Sequence, residues 1–121
     1  MGFRFHDWPV YRDARKLRKL VRVEVSPKIG RMDQLDLGSQ IRRAATSIVL
    51  NIAEGSFRAS DKDFGRFLNQ ANASCSEVVA CLDCCLDDGY IDAELYSRAS
   101  VAIESIAKQL SGFAKILSER K

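Results

Sequence analysis

The chain reads as all-α: an antiparallel up-down four-helix bundle forming a single domain over residues 1–121. Three observations predict it. Apolar residues recur at spacings of three and four in four successive stretches. No segment sustains the period-two alternation of a half-buried strand. The connections are mostly short and carry breakers such as Pro27, Gly30, Gly55 and Gly89, so consecutive helices return antiparallel.

The first helix is expected over about residues 8–25. Asp7 is its predicted N-cap, and Pro9 falls in the first turn, where a missing N–H is harmless. Val10, Ala14, Leu17, Val21 and Val25 form its core face, and SPKIG then breaks the chain. The second helix, over about 34–54, presents Leu37, Ile41, Ala44, Ile48 and Ile52, with Gly55 placed as a left-handed C-terminal cap. The third, over about 61–88, opens with SDKD, in which Ser60 caps and Asp63 reaches back. Its stripe is Phe64, Phe67, Ala71, Cys75, Val78, Leu82 and Cys85, and DDGY ends it at Gly89. The fourth, over about 92–118, carries Leu95, Ala99, Ala102, Ile106, Leu110, Phe113 and Leu117. Ala45, Val49, Tyr11 and Leu20 widen two of these faces, either as boundary packing or as contacts with another subunit.

Composition narrows the function. An apolar fraction of 46% with 29% charged residues is ordinary for a globular domain. No apolar run approaches the roughly 18–20 residues that span a bilayer, and the N-terminal residues lack the apolar core of a signal peptide. The Met1-Gly2 start has His6 where myristoylation wants Ser or Thr. A soluble, cytoplasmic protein without a membrane partner is expected. Cys75, Cys81, Cys84 and Cys85 crowd one predicted helix, and the single histidine, His6, lies elsewhere. That spacing suits neither a disulfide framework nor a tetrahedral zinc site, which draws ligands from two places. Reduced thiols packed in the core are expected, with no metal and no cofactor. His6 has no nucleophile partner, no nucleophile elbow or phosphate loop occurs, and Asp87-Asp88 reads as a solvated helix end. Nothing here predicts an enzyme, and no catalytic residue is assigned.

The charge is unevenly distributed. Residues 1–31 hold nine Lys or Arg against three acids, near +6, while residues 32–121 hold ten against thirteen, near −3. On the first helix Arg12, Arg15, Lys16, Lys19 and Arg22 gather opposite Ala14, Leu17 and Val21, with Arg18 at the boundary. Such a face neutralises phosphates of RNA or DNA without reading sequence. It also fits a solvated or intersubunit face, and no aromatic residue interleaves the run to stack on unpaired bases. Arg42 and Arg43 either extend this surface or, the favoured reading, pair with acids such as Glu54 or Glu77.

The stretch QIRRAATSIVLNIAEGSFR places polar Asn51 and Glu54 near the end of an apolar helix. Burying either without partners costs about 1–3 kcal/mol or more. Asn51 is expected to bridge backbone groups of a neighbouring helix. Glu54 is expected to pair with an arginine or accept amides at the third helix start, the alternative being a ligand site. The residues from Gln40 to Arg58, with Arg42, Arg43, Ser47, Asn51, Ile52, Ala53, Glu54 and Gly55, resemble the signature of bacterial proteins named for the 23S rRNA intervening sequence. These are related in fold to the accessory variability proteins of diversity-generating retroelements. Phe64, Phe67, Leu68, Ala71, Ser74 and Glu77 continue the likeness, as do Phe5, Val10, Tyr11, Ala14 and Leu17. Val49, Ala73 and Cys75 depart from it, standing where proline, glycine and leucine are usual. The resemblance implies a four-helix bundle assembled as a ring-like homopentamer, with no established catalysis and with relatives that bind nucleic acid and a reverse transcriptase. The resulting expectation is a non-enzymatic homo-oligomeric scaffold binding RNA or DNA through the first-helix cations. Arg42, Arg43, Asn51, Glu54, Gly55, Arg58 and Glu77 form its structural motif. The alternative is a scaffold that recruits a partner protein, its arginines being intersubunit ion pairs.

Overall fold

The computed structural model describes residues 3–120; Met1, Gly2 and Lys121, which include the start read above for acylation, lie outside them. The described chain is all-α, with four helices packed antiparallel in sequence order: α1 (Pro9–Leu20), α2 (Ser39–Gly55), α3 (Asp61–Asp87) and α4 (Ala93–Glu119). Helix α2 lies between α1 and α3, and α4 closes the bundle against α3 and α1. The core is largely the set of stripes read from the sequence, with Leu37 and Phe113 only partly covered and with two exchanges. Leu68 is buried beside a half-exposed Phe67, and Ile103 is buried where Ala102 is only partly covered. Ala45 and Val49 are buried within this same chain, so the broad face of α2 packs on α1 as well as on α3. Val49 leaves the helix unbroken.

The helix ends differ in several places from the sequence expectation. Trp8 occupies the N-cap of α1 without a side-chain bond, while Asp7 closes the preceding 3-10 turn, Arg4–Asp7, and pairs with Arg12 at 3.5 Å. Regular α geometry ends at Leu20 and passes into a wider π turn, Val21–Val25, which keeps Val21 and Val25 both pointing into the core. A second π turn, Gln34–Gly38, leads into α2.

Gly55 is not a left-handed cap. Among the described residues only Gly89 has a positive φ, of 74°. Gly55 is instead the last helical residue of α2, and a Cβ there would stand 2.9 Å from both Phe64 Cδ1 and Phe67 Cβ of α3. Close helix approach, not backbone handedness, excludes a side chain. At the start of α3, Ser60 Oγ accepts the Asp63 N–H at 3.1 Å, but the Asp63 carboxylate turns away to Arg66 at 2.8 Å, so the box is half made. Gly89 does end α3: Tyr90 N–H reaches Cys85 O at 2.9 Å and Gly89 N–H reaches Leu86 O at 3.1 Å, the paired bonds of a Schellman turn. Asp92 caps α4 by accepting the Leu95 N–H at 2.9 Å. No described helix is long and apolar enough to cross a membrane.

Candidate nucleic-acid interface

Because Val10, Ala14 and Leu17 turn inward, the other side of α1 is left to its charged residues. The structure brings Arg12, Arg15, Lys16, Arg18, Lys19 and Arg22 to one groove of about 790 Å³, floored by Val49 and Leu50 of α2 and lined, among the described residues, by no carboxylate. These cations span about 15 Å of helix, ten residues at 1.5 Å each. That matches about four nucleotide rises of 3.4 Å. Three of them are oriented. Arg12 donates to His6 O at 3.1 Å, Arg15 lies over the Tyr11 ring at 5.9 Å, and Arg18 donates to Thr46 Oγ1 at 2.9 Å. Among the described residues Arg15, Lys16, Lys19 and Arg22 have no carboxylate within ion-pair distance. Their mutual repulsion is lowered by a bound anion.

A second groove, of about 840 Å³, continues the first along α2 and shares Arg22, Thr46 and Leu50 with it. Arg43, Asn51, Glu54 and Phe57 line its remainder. Leu50 and Phe57 are 60% and 62% exposed, and Val23 at the rim of the first groove is 63% exposed. Phe57 is held by a T-shaped contact with Phe3, ring centroids 5.5 Å apart, and by Arg4, which donates to the preceding carbonyl, Ser56 O, at 2.9 Å.

The motif residues separate into different roles. Among the described residues Arg42 pairs with no acid: it donates to Ser26 Oγ at 2.6 Å, Gln34 Oε1 at 3.0 Å and Gln34 O at 3.4 Å, clamping the α1–α2 connection. It faces inward at the first turn of α2, where that connection folds back over it. Arg43 is exposed in the second groove and extends the basic surface. Glu77 is bound by Gln40 instead of an arginine, joining α2 to α3. Asn51 does not bridge a neighbouring backbone. Its Nδ2 donates to Ser47 O and Ser47 Oγ, both at 2.9 Å, one turn back on its own helix. The link to α3 runs onward through Ser47 Oγ to Ser74 Oγ at 2.9 Å and Ser74 Oγ to Gln70 O at 3.2 Å. Glu54 is exposed and pairs with Arg58, which also approaches Asp63 at 3.9 Å and lies 4.5 Å over the Phe67 ring. Arg66 lies over the same ring at 4.7 Å, so Phe67 is capped by two guanidinium groups next to Gly55.

The thiols belong to a different chemistry. Cys75, Cys81 and Cys85 are buried, and desolvation pushes each up to about 11; Cys84 is exposed. At neutral pH the buried three are thiols, not thiolate nucleophiles. Among the described residues no three His, Cys, Asp or Glu side chains converge as a metal-holding group.

Sequence reasoning missed Leu50, Phe57 and Val23, having found no aromatic residue within the basic run. The available signal was the spacing of Leu50 and Phe57, both outside the Ile48 and Ile52 core stripe. Nothing local announces that this face adjoins Arg22.

A solved structure from Bacteroides thetaiotaomicron, described as a protein with unknown function from the S23 ribosomal protein family, matches at a TM-score of 0.80 and 25% identity. The match covers 88% of this chain and 98% of that one. No curated protein matches. The 23S rRNA-intervening sequence protein family matches residues 6–112, most of the bundle described above. With that match spanning the cations of α1 and the Asn-Glu-Gly motif of α2 alike, the chain belongs to the 23S rRNA-intervening sequence protein family.

Proposed function

We propose that this protein is a non-enzymatic, homo-oligomeric scaffold that binds RNA or DNA through the α1 groove. The observation that carries the reading is the convergence of six cations on one groove whose described lining holds no carboxylate, five of them without an ion pair among the described residues. Phosphate contacts of this kind supply affinity and position without sequence information. The homopentameric ring implied by the family resemblance would repeat the groove around an axis and raise avidity for a long polyanion.

The test replaces Arg15, Lys19 and Arg22 by Glu. Retention on labelled RNA and DNA at low salt should disappear while light scattering returns the parent mass. Loss of the assembly instead would make these cations subunit contacts. A second reading, recruitment of a partner protein, draws on Met32 and Leu35, which are 88% and 93% exposed on the α1–α2 connection. It gains if the parent protein shows no affinity for either nucleic acid.

A further inference from the structure

The second groove contains more than a phosphate track needs. Along one face of α2 and its C-terminal turn, apolar Leu50 and Phe57 alternate with polar Arg43, Asn51 and Glu54, and Arg22 of the neighbouring π turn closes the groove toward α1. The Asn51 amide is fixed in one orientation, because Ser47 O can only accept and therefore holds Nδ2. Its Oδ1 has no protein partner among the described residues. Glu54, three residues on, is a second acceptor, with one oxygen on Arg58. The groove thus joins an exposed aromatic ring and an exposed leucine to two hydrogen-bond acceptors, at the end of a row of cations.

We propose that this α2 groove takes an unpaired nucleobase, so that the nucleic acid lying along α1 is single-stranded. The inference rests on the reading of the α1 groove as a phosphate track. A base presents a π-face to Phe57 and Leu50 and amino or imino N–H groups to Asn51 and Glu54, while its own strand keeps the phosphates on Arg22 and Lys19. A duplex presents phosphates but keeps its base faces stacked, leaving the apolar part of the groove uncovered. A helical protein partner needs an unbroken apolar row at three- and four-residue spacing. Here that row is interrupted at Arg43, Asn51 and Glu54, each with a charged or hydrogen-bonding group.

The probes are a labelled single-stranded oligonucleotide, an abasic strand of the same length, and a duplex, each titrated by anisotropy at one salt concentration. The parent should bind the base-bearing strand at least about five-fold more tightly than the abasic one, the lower end of base–aromatic stacking. Phe57→Ala should lower the affinity for the base-bearing strand to the abasic level, with abasic and duplex affinities unchanged. Leu50→Ala, also at an exposed position, should act in the same direction and serves as the second variant.

Equal affinity of the parent for abasic and base-bearing strands would overturn the proposal and leave the phosphate reading standing. Phe57→Ala weakening all three probes alike would also overturn it. A change in light-scattering mass on Phe57→Ala, with strand affinity intact, would assign the face to contacts between copies. Absence of binding to every probe would remove the phosphate reading together with the inference.

Discussion

Gly55 shows how one residue sets the meeting of two helices. A Cβ at this position would overlap Phe64 and Phe67, so α3 crosses the end of α2 at the distance that hydrogen allows. Gly55→Ala should destabilise the fold by about 1–3 kcal/mol, the usual cost of forcing atoms into a packed site. Gly65→Ala should do the reverse: it is helical, and a Cβ there would meet nothing within 4 Å. The gain should be about 0.5–1 kcal/mol. Urea unfolding of the two variants checks both signs.

The buried thiols make a residue-scale prediction about pH. Desolvation raises Cys75, Cys81 and Cys85 from 9.0 to about 11. Between those values the unfolded chain releases protons that the folded chain retains, so stability falls as pH rises. The contribution is present in full below about pH 9 and is gone above about 11. Denaturation midpoints measured from pH 8 to 11 should decline, and a Cys75→Ala, Cys81→Ala, Cys85→Ala variant should decline less. Gly55 was legible in the sequence as a necessary glycine, but the reason assigned to it was wrong. A glycine after an apolar helix suggests a left-handed cap, and only the neighbouring helix reveals a steric demand.

At the scale of elements, the connection between α1 and α2 is an ordered structure, not a slack loop. Gln34 Nε2 donates to Ser26 O at 2.7 Å and Ile29 O at 2.9 Å, and the Arg42 guanidinium grips Ser26 and Gln34 from the start of α2. From the far end of α3, Tyr90 donates to Asp33 at 2.5 Å, with its ring against Gly30. Arg42→Ala should therefore cost about 2 kcal/mol, within the range for hydrogen bonds to a charged group. Arg42→Lys should recover little, since an ammonium cannot reproduce the planar fork. Hydrogen exchange should accelerate in residues 26–38 and stay unchanged in α4, which separates loss of the clamp from general loosening. Helix identity was legible because the 3.6-residue period survives in all four stretches. The two π turns were not, since a single extra residue per turn leaves the apolar pattern of Val21 and Val25 or Leu37 and Ile41 almost unaltered.

For the whole molecule, the decisive property is charge polarity. The first 31 residues carry nearly +6 and the remainder nearly −3, and folding places most of the positive excess along one edge of the bundle. If about five of these cations meet phosphates, log K against log salt should have a slope of about −3.5 on a single strand. Charge reversal at two sites, Lys19→Glu and Arg22→Glu, should flatten that slope by at least about 1.4, twice the 0.7 lost per phosphate contact on a single strand. Titrations at four salt concentrations check this, and a slope near zero would remove the polyanion reading. The acidic remainder is partly internally matched, as in Arg98 of α4 with Glu94 of its own helix at 2.7 Å and Arg66 with Asp63 on α3 at 2.8 Å, while Arg98 also ties it to the first part through Glu24 at 2.6 Å.

The sequence by itself determined the four helices, their order and most of the core. These follow from periodicity and helix-end chemistry, which are local along the chain. The cations of α1 were equally legible, because one helix face is a property of one segment. What only the tertiary structure decided is partnership. Arg42, with acids and hydroxyls both in reach along the sequence, takes Ser26 and Gln34 because the connection folds over it. Ser47, which holds Asn51 one turn along its own helix, reaches Ser74 because α3 packs beside it. Phe57 reaches the groove of Arg22, thirty-five positions away, because α2 packs alongside α1. Hydrogen bonds and grooves between helices depend on their packing, and that distance is not written in any single segment.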